Sequence, residues 1–235
     1  MLVTDQFVYL HMPKTAGTWV QHYLFDAFGG TFPSPLTHVR IANFEDRLGH
    51  KLVIGSTRDP WSWYLSMYQF LRATKWWRDS FLSAFGDPDD HHAALYGMTH
   101  PNPKVSPRTR KIPFNLPTFQ AGSVGLYSHL FRASFCDRQG RLLTDVLIDT
   151  AHIRRGLREV VGIDLSDEKR YPPQQVKEDH PHTILDPTQV WTPEHVQWVR
   201  EADREAIDLL GYSHPGKPTE PVRWVARQGG VSRGI

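Results

Sequence analysis

From Phe7 to Met12 mostly apolar residues follow one another without the polar alternation of a half-wet strand, and Pro13, Lys14, Thr15, Ala16, Gly17 and Thr18 then interrupt them. The pattern predicts a buried parallel strand, a tight turn and a helix start. Trp19, Val20, Tyr23, Leu24 and Ala27 recur at helical spacing up to Phe28, and Gly29-Gly30 ends the run. A turn-rich stretch, Thr31 to Pro35, leads to a short extended candidate at Leu36 to Ile41 and to one or two helical turns over Asn43 to Leu48. Lys51 to Thr57, with its Leu-Val-Ile centre, reads as a second buried strand. Asp59 and Pro60 suit the N-cap and first position of a helix running from Trp61 to about Thr74.

Between Gly86 and Gly122 the chain turns to Pro, His, Asn and Thr with few apolar residues, which predicts a long loop, read as a lid over an acceptor site. Helical spacing returns over Gly122 to Phe135, Asp145 to Asp149 is a third strand candidate, and Thr150 is placed to cap a helix that stops before Gly162. Thr192-Pro193-Glu194 opens a last helix whose Val196, Val199, Ala202, Ala206 and Leu209 make one stripe, with Gly211 as its stop. Ser213 to Ile235 lacks periodicity and reads as a flexible or lightly docked tail. The expectation is one α/β domain over residues 1–212, a central, mainly parallel sheet flanked by helices, with the lid at 86–122 and the tail at 213–235.

Composition narrows the classes. A chain of 235 residues has room for one α/β core. Its 27 basic and 25 acidic side chains nearly balance, so no global field draws it to nucleic acid or anionic lipid, and any anion site must be local. Cys136 is the only cysteine, which excludes an internal disulfide and reads as a buried, inert thiol. No stretch reaches the length of a membrane span and no signal-peptide pattern is present, so the expectation is a cytoplasmic protein.

The chemistry concentrates at the first turn. A strand-turn-helix junction aims backbone N–H groups and the positive end of a helix at one spot, Gly17 lets a ligand approach the backbone, and Lys14 adds a full charge. That is a phosphate cradle. It is not the nucleotide-triphosphatase loop, since the spacing G-x-x-x-x-G-K-[ST] is absent and the lysine precedes the glycine.

At these residues the chain resembles a known family. HMPKTAGTW, His11 to Trp19, resembles the 5′-phosphosulfate loop of the Golgi-type sulfotransferases and their bacterial relatives, usually I-P-K-T-[AG]-[GS]-T-S, with Trp19 in place of the serine. STRDPWSWYLSMY, Ser56 to Tyr68, resembles the family's 3′-phosphate motif R-D-P-x-x-R-x-x-S-x-[YF], with Trp63 where a second arginine usually stands. Trp191-Thr192-Pro193-Glu194 and Leu210-Gly211-Tyr212 are similar to the family's late helical segment, and Thr37-His38-Val39 followed by Phe44 is similar to the catalytic-histidine segment of the heparan-sulfate 2-O-sulfotransferases.

The resemblance implies a P-loop-NTPase-like three-layer fold and a sulfotransferase that uses 3′-phosphoadenosine-5′-phosphosulfate (PAPS) and releases adenosine 3′,5′-bisphosphate (PAP). Pro13, Lys14, Thr15, Ala16, Gly17, Thr18 and Trp19 would hold the 5′-phosphosulfate, and Arg58 with Ser66 the 3′-phosphate. Ser66 lies about two turns into its helix, roughly 10 Å along the axis, so the ligand would lie beside the helix rather than at its tip. Lys14 would stabilise charge on the leaving oxygen, and His38 is the candidate base. Glu45 and Asp46 are the other base candidates. The acceptor would be a small molecule or carbohydrate; no metal and no nucleic acid is called for.

Blander readings stand beside these. Lys14 is otherwise surface charge, Arg58 an ion-pair partner, Ser66 helix surface and His38 a loop hydrogen-bonder. Asp87 to His92 lacks the spacing of a recognised metal site. Trp61, Trp63, Trp76 and Trp77 suit a core or an acceptor cleft, and the Arg108 to Lys111 run suits a solvated loop or an acidic acceptor. Two other functions remain: a P-loop kinase or other nucleotide phosphotransferase, and a non-catalytic nucleotide-binding module of the same fold.

Overall fold

The computed structural model describes residues 1–34, 40–80, 87, 89–100, 124–165, 190–213, 215 and 222–225. In chain order the first elements are β1 (Leu2–Val3), β2 (Phe7–His11), α1 (Gly17–Phe28), α2 (Glu45–Leu48), β3 (Leu52–Thr57), α3 (Pro60–Ala73), α4 (Lys75–Ser80) and α5 (His91–Thr99). They are followed by α6 (Leu126–Phe135), β4 (Val146–Asp149), α7 (Ile153–Val161), α8 (Pro193–Ala202), α9 (Arg204–Leu210) and β5 (Val222–Trp224). The chain divides into two compact units, the first Met1–Thr57 with Phe131–Pro173 and Glu220–Ile235, the second Arg58–Leu130 with Gln174–Thr219.

The first unit is built on a mixed sheet in the order β1-β2-β3-β4-β5. Its three central strands are parallel, with Phe7 opposite Leu52 and Ile54 opposite Val146, and β1 and β5 close the edges antiparallel. The continuous apolar runs have the physical cause expected of them: every residue of β2 and β4 is buried, so neither face tolerates polar alternation. On one face Phe7, Tyr9, Ile54, Val146 and Ile148 pack against Trp19, Val20 and Leu24 of α1 and Ile153 and Leu157 of α7. On the other, a Cβ at Gly55 would lie 2.7 Å from Leu147 and 2.8 Å from Phe135, so a side chain there would push the end of α6 off the sheet.

Four departures from the sequence expectations have local reasons. Residues 222–224 fall in the expected tail, yet they add an antiparallel strand to β4, where Asp145 accepts from the Val225 N–H at 2.9 Å. Residues 91–99 fall in the expected lid loop but form α5, because the Asp90 carboxylate accepts from the His92 and Ala93 N–H groups at the helix start. After β4 the capping residue is Asp149, which accepts from the Ala151 N–H at 2.7 Å, while the Thr150 hydroxyl is spent on the Thr57 carbonyl. The stripe from Val196 to Leu209 is two helices broken at Asp203 rather than one. Most of the extended candidate, residues 36–39, and residues 101–122 of the expected lid lie outside the described residues.

The second unit is helical among the described residues. Trp61, Trp63, Tyr64, Leu65, Met67, Tyr68 and Leu71 of α3 are all buried, far more than one stripe, so this helix is a central rod rather than a surface one. Helix α5 joins α8 through aromatic and imidazole rings, with His92 Nδ1 2.8 Å from His195 Nε2. Among the described residues no helix is long and apolar enough to cross a membrane.

Candidate functional site

The turn after β2 is conformationally costly. Lys14 and Ala16 both have positive φ, 66° and 56°, a left-handed conformation that costs an L-residue about 1–2 kcal/mol each. Such cost persists only where the surroundings hold the chain there. Here they do: the buried Thr15 hydroxyl donates to the Met12 carbonyl at 2.8 Å and meets the Ser56 hydroxyl of β3 at 3.0 Å, while the Tyr9 hydroxyl donates to Ser56 at 2.8 Å. A knot of three hydroxyls thus ties the turn to two adjacent strands. Burial holds the Tyr9 phenol above the ordinary tyrosine range, so it stays a donor.

Residues then alternate in and out. Pro13, Thr15, Gly17 and Trp19 are buried, Lys14 is half-buried, and Ala16 and Thr18 are exposed. Gly17 sits over His11, where a Cβ would lie 1.9 to 2.4 Å from the imidazole side chain, so only glycine lets helix α1 begin at that point. The N-cap residue, Ala16, has no oxygen to offer, so this twelve-residue helix starts without a side-chain cap from its own N-cap position. Left-handed turn residues next to an uncapped helix start make a concave set of N–H dipoles suited to an anion. Lys14 lies in that set.

The expected contributors differ in what they can give. Thr15 spends its hydroxyl internally, and the Trp19 indole belongs to the core, edge-on to Tyr23 at 5.1 Å with the Arg154 guanidinium 5.5 Å from its ring. Any part they take in anion binding falls to their backbone N–H groups. Ala16, Gly17 and Thr18 bring backbone N–H groups to the turn and helix start, and Lys14 adds a half-buried cation beside them, the chemistry a phosphate cradle uses.

Arg58 and Ser66 belong to the second unit. Asp59 caps α3 as its sequence predicts, accepting from the Ser62 N–H at 2.9 Å with Pro60 at the first helical position. Arg58 therefore immediately precedes a capped helix, and Ser66 lies half-buried on it. Trp63, in the place of the resembled family's second arginine, is fully buried between Tyr64 and Tyr127, with ring centroids 5.1 and 5.3 Å away. It contributes packing and no charge.

His38 lies outside the described residues, as does the Arg108 to Lys111 run, and the side chains of Trp76 and Trp77 are likewise undescribed. Glu45 and Asp46, the other base candidates, sit in the first turn of α2. Trp61 is core, its indole N–H donating to the Val196 carbonyl at 3.2 Å. Cys136 is buried and its thiol is pushed up to about 11 by that burial, which leaves it protonated and unreactive at neutral pH. In the Asp87 to His92 stretch, Asp89 pairs with Arg72 and Arg78, and among the described residues no group of three or more His, Cys, Asp or Glu is arranged to hold a metal ion.

Sequence reasoning passed over Tyr9 and Ser56, which brace the turn, and Tyr127, whose hydroxyl donates to the Arg58 carbonyl at 2.8 Å. It also passed over Asp203, fully buried, with burial pushing its carboxyl up to about 6. One signal for it was readable: an acid at position 203 falls on the apolar stripe of Val199 and Ala206. No family model matches the chain, and searches of curated proteins and of solved structures likewise gave no match.

Proposed function

We propose that the protein transfers a sulfuryl group from PAPS to a hydroxyl or amine of a carbohydrate or small metabolite, on a P-loop-like three-layer fold and in the cytoplasm. The observation that carries the reading is the turn at the end of β2, where left-handed Lys14 and Ala16 adjoin an uncapped helix start. Its partner in the reading is Arg58, set directly before the Asp59 cap of α3. A donor with a 5′-phosphosulfate and a 3′-phosphate requires two anion sites, and the two motifs supply one each.

The donor, when bound, supplies an electrophilic sulfur. As the acceptor oxygen or nitrogen bonds to it, the bridging S–O bond breaks and its electron pair stays on the 5′-phosphate of PAP. Lys14 and the N–H groups of the turn meet the charge that grows there, more strongly in the transition state than in the ground state. His38 takes the acceptor's proton in this scheme, and Arg58 with Ser66 selects the 3′-phosphate that ATP lacks. A single lysine and oriented dipoles suffice for one sulfate ester, so the reaction proceeds without a divalent cation.

The test is incubation of the protein with isotope-labelled PAPS and a mixed glycan and metabolite extract in the presence of EDTA, read by mass spectrometry. A labelled sulfate ester or sulfamate supports the reading and identifies the acceptor class. A phosphorylated product formed only when ATP and magnesium replace PAPS and EDTA would support a phosphotransferase instead.

A further inference from the structure

Arg58 is held by a relay that ends 145 residues away, at a buried acid. The Tyr127 hydroxyl donates to the Arg58 carbonyl at 2.8 Å, the Tyr127 N–H donates to the Tyr64 hydroxyl at 3.2 Å, and that hydroxyl donates to Asp203 Oδ2 at 2.8 Å. Asp203 Oδ1 accepts from the Ser128 N–H at 2.8 Å. One carboxylate therefore serves the first turn of α6 twice, directly at Ser128 and through Tyr64 at Tyr127. It is an N-cap supplied from a distant segment.

The packing leaves this arrangement no slack. Tyr64, Tyr127 and Asp203 are each 0 % exposed, and Trp63 stands edge-on to both tyrosine rings. Gly125, just before α6, approaches so closely that a Cβ would lie 2.5 Å from the Tyr64 hydroxyl and 2.6 Å from Asp203 Oδ2. A charged carboxylate is a costly way to cap a helix in a dry interior, where an apolar residue at 203 would have continued the stripe of α8 and α9. Beyond the cap, the same relay reaches the Arg58 carbonyl through Tyr127.

We infer that Asp203 is a positioning residue for the Arg58 anion site, acting through Tyr64 and Tyr127 to fix the backbone from which the guanidinium extends. The inference rests on the donor reading above, because it takes the Arg58 ligand to be the 3′-phosphate. With Trp63 where another arginine would stand, Arg58 has no arginine neighbour in this motif to make good a displaced charge, and the relay compensates by fixing the one that remains.

Calorimetric titration with PAP and with adenosine 5′-monophosphate separates the two anion sites, since only PAP carries a 3′-phosphate. Tyr127→Phe, which removes one hydroxyl, is expected to weaken PAP about 3- to 10-fold, the range for one lost hydrogen bond, with the monophosphate unchanged. Asp203→Asn keeps the shape and breaks the charge-assisted link to Tyr64, and is expected to weaken PAP by about tenfold with the same selectivity. In an Arg58→Ala background neither change should have a further effect on PAP, an outcome that general loosening would not produce. Equal losses for both nucleotides, or full additivity with Arg58→Ala, overturn the inference. If the unaltered protein binds neither nucleotide, the donor reading itself fails, and with it this inference.

Discussion

The two proposed anion anchors are built in opposite ways. The Lys14 turn is local: its strain, its uncapped helix start and its tie from Thr15 to Met12 all fall within a few residues, and it is braced from the adjacent strand at Ser56. The Arg58 anchor is remote: its backbone is held by Tyr127, and Tyr127 by Tyr64 and Asp203. A local device stores its cost in backbone conformation, whereas a remote one stores it in a buried charge. Each should therefore fail in its own way.

The largest effect is expected at Lys14. Lys14→Ala should lower the sulfuryl-transfer rate by about 100- to 1,000-fold, the range for loss of a leaving-group stabiliser, with a smaller loss of PAP affinity measured by calorimetry. A change in affinity alone, with the rate intact, would reduce the turn to a binding element. Next comes Gly17→Ala, whose Cβ would overlap the His11 side chain at 1.9 Å. Overpacking of this kind costs about 1–3 kcal/mol, visible in denaturant unfolding, and His11→Ala in the same chain should recover part of it.

The remote anchor has a pH signature. Burial raises the Asp203 carboxyl from 3.8 to about 6, so between those values the folded chain holds a proton that the unfolded chain has lost. Its contribution to stability therefore falls as pH rises through that window, by about 3 kcal/mol in all. His91, lowered to about 4 chiefly by burial and then by the His195 charge, and His195, lowered chiefly by burial, act in the opposite sense. They cost stability as pH falls below 6.5. The two slopes partly cancel, and Asp203→Asn, which removes one of them, should steepen the loss of stability on acidification from pH 6 to 4. Parallel unfolding profiles for the two proteins would show that Asp203 does not titrate as described.

The smallest effect is expected at Ala16, where Ala16→Gly relieves the positive φ of 56° and should stabilise the protein by up to about 1 kcal/mol, read as a raised Tm. The sign is the test. Destabilisation would mean that the left-handed turn is not strained at Ala16.

The same contrast explains what could be read from the sequence. The strands at Phe7–His11, Leu52–Thr57 and Val146–Asp149 and helices α1 and α3 were legible because apolar runs, an Asp-Pro cap and a Gly-Gly stop act within a few residues. The edge strand Val222–Trp224 was not, since three residues gain strand character only from the β4 edge they meet. The break at Asp203 was hidden because helical spacing continues across it; the carboxylate's partners, Ser128 and Tyr64, are far away in the chain. At the site, the strand-turn-helix junction around Lys14 was legible as a motif. The inward turn of Thr15 and Trp19 was not, as motif spacing does not say whether a side chain or its backbone faces a ligand.

If sulfuryl transfer is the function, this chain recognises the two phosphates of an activated-sulfate carrier. Calorimetric titration with PAP in the presence of EDTA, set beside ATP with magnesium, tests it most directly. Saturable binding of PAP is expected at micromolar concentrations or below, with ATP at least tenfold weaker. Tighter binding of magnesium ATP, or no binding of PAP at all, would contradict it.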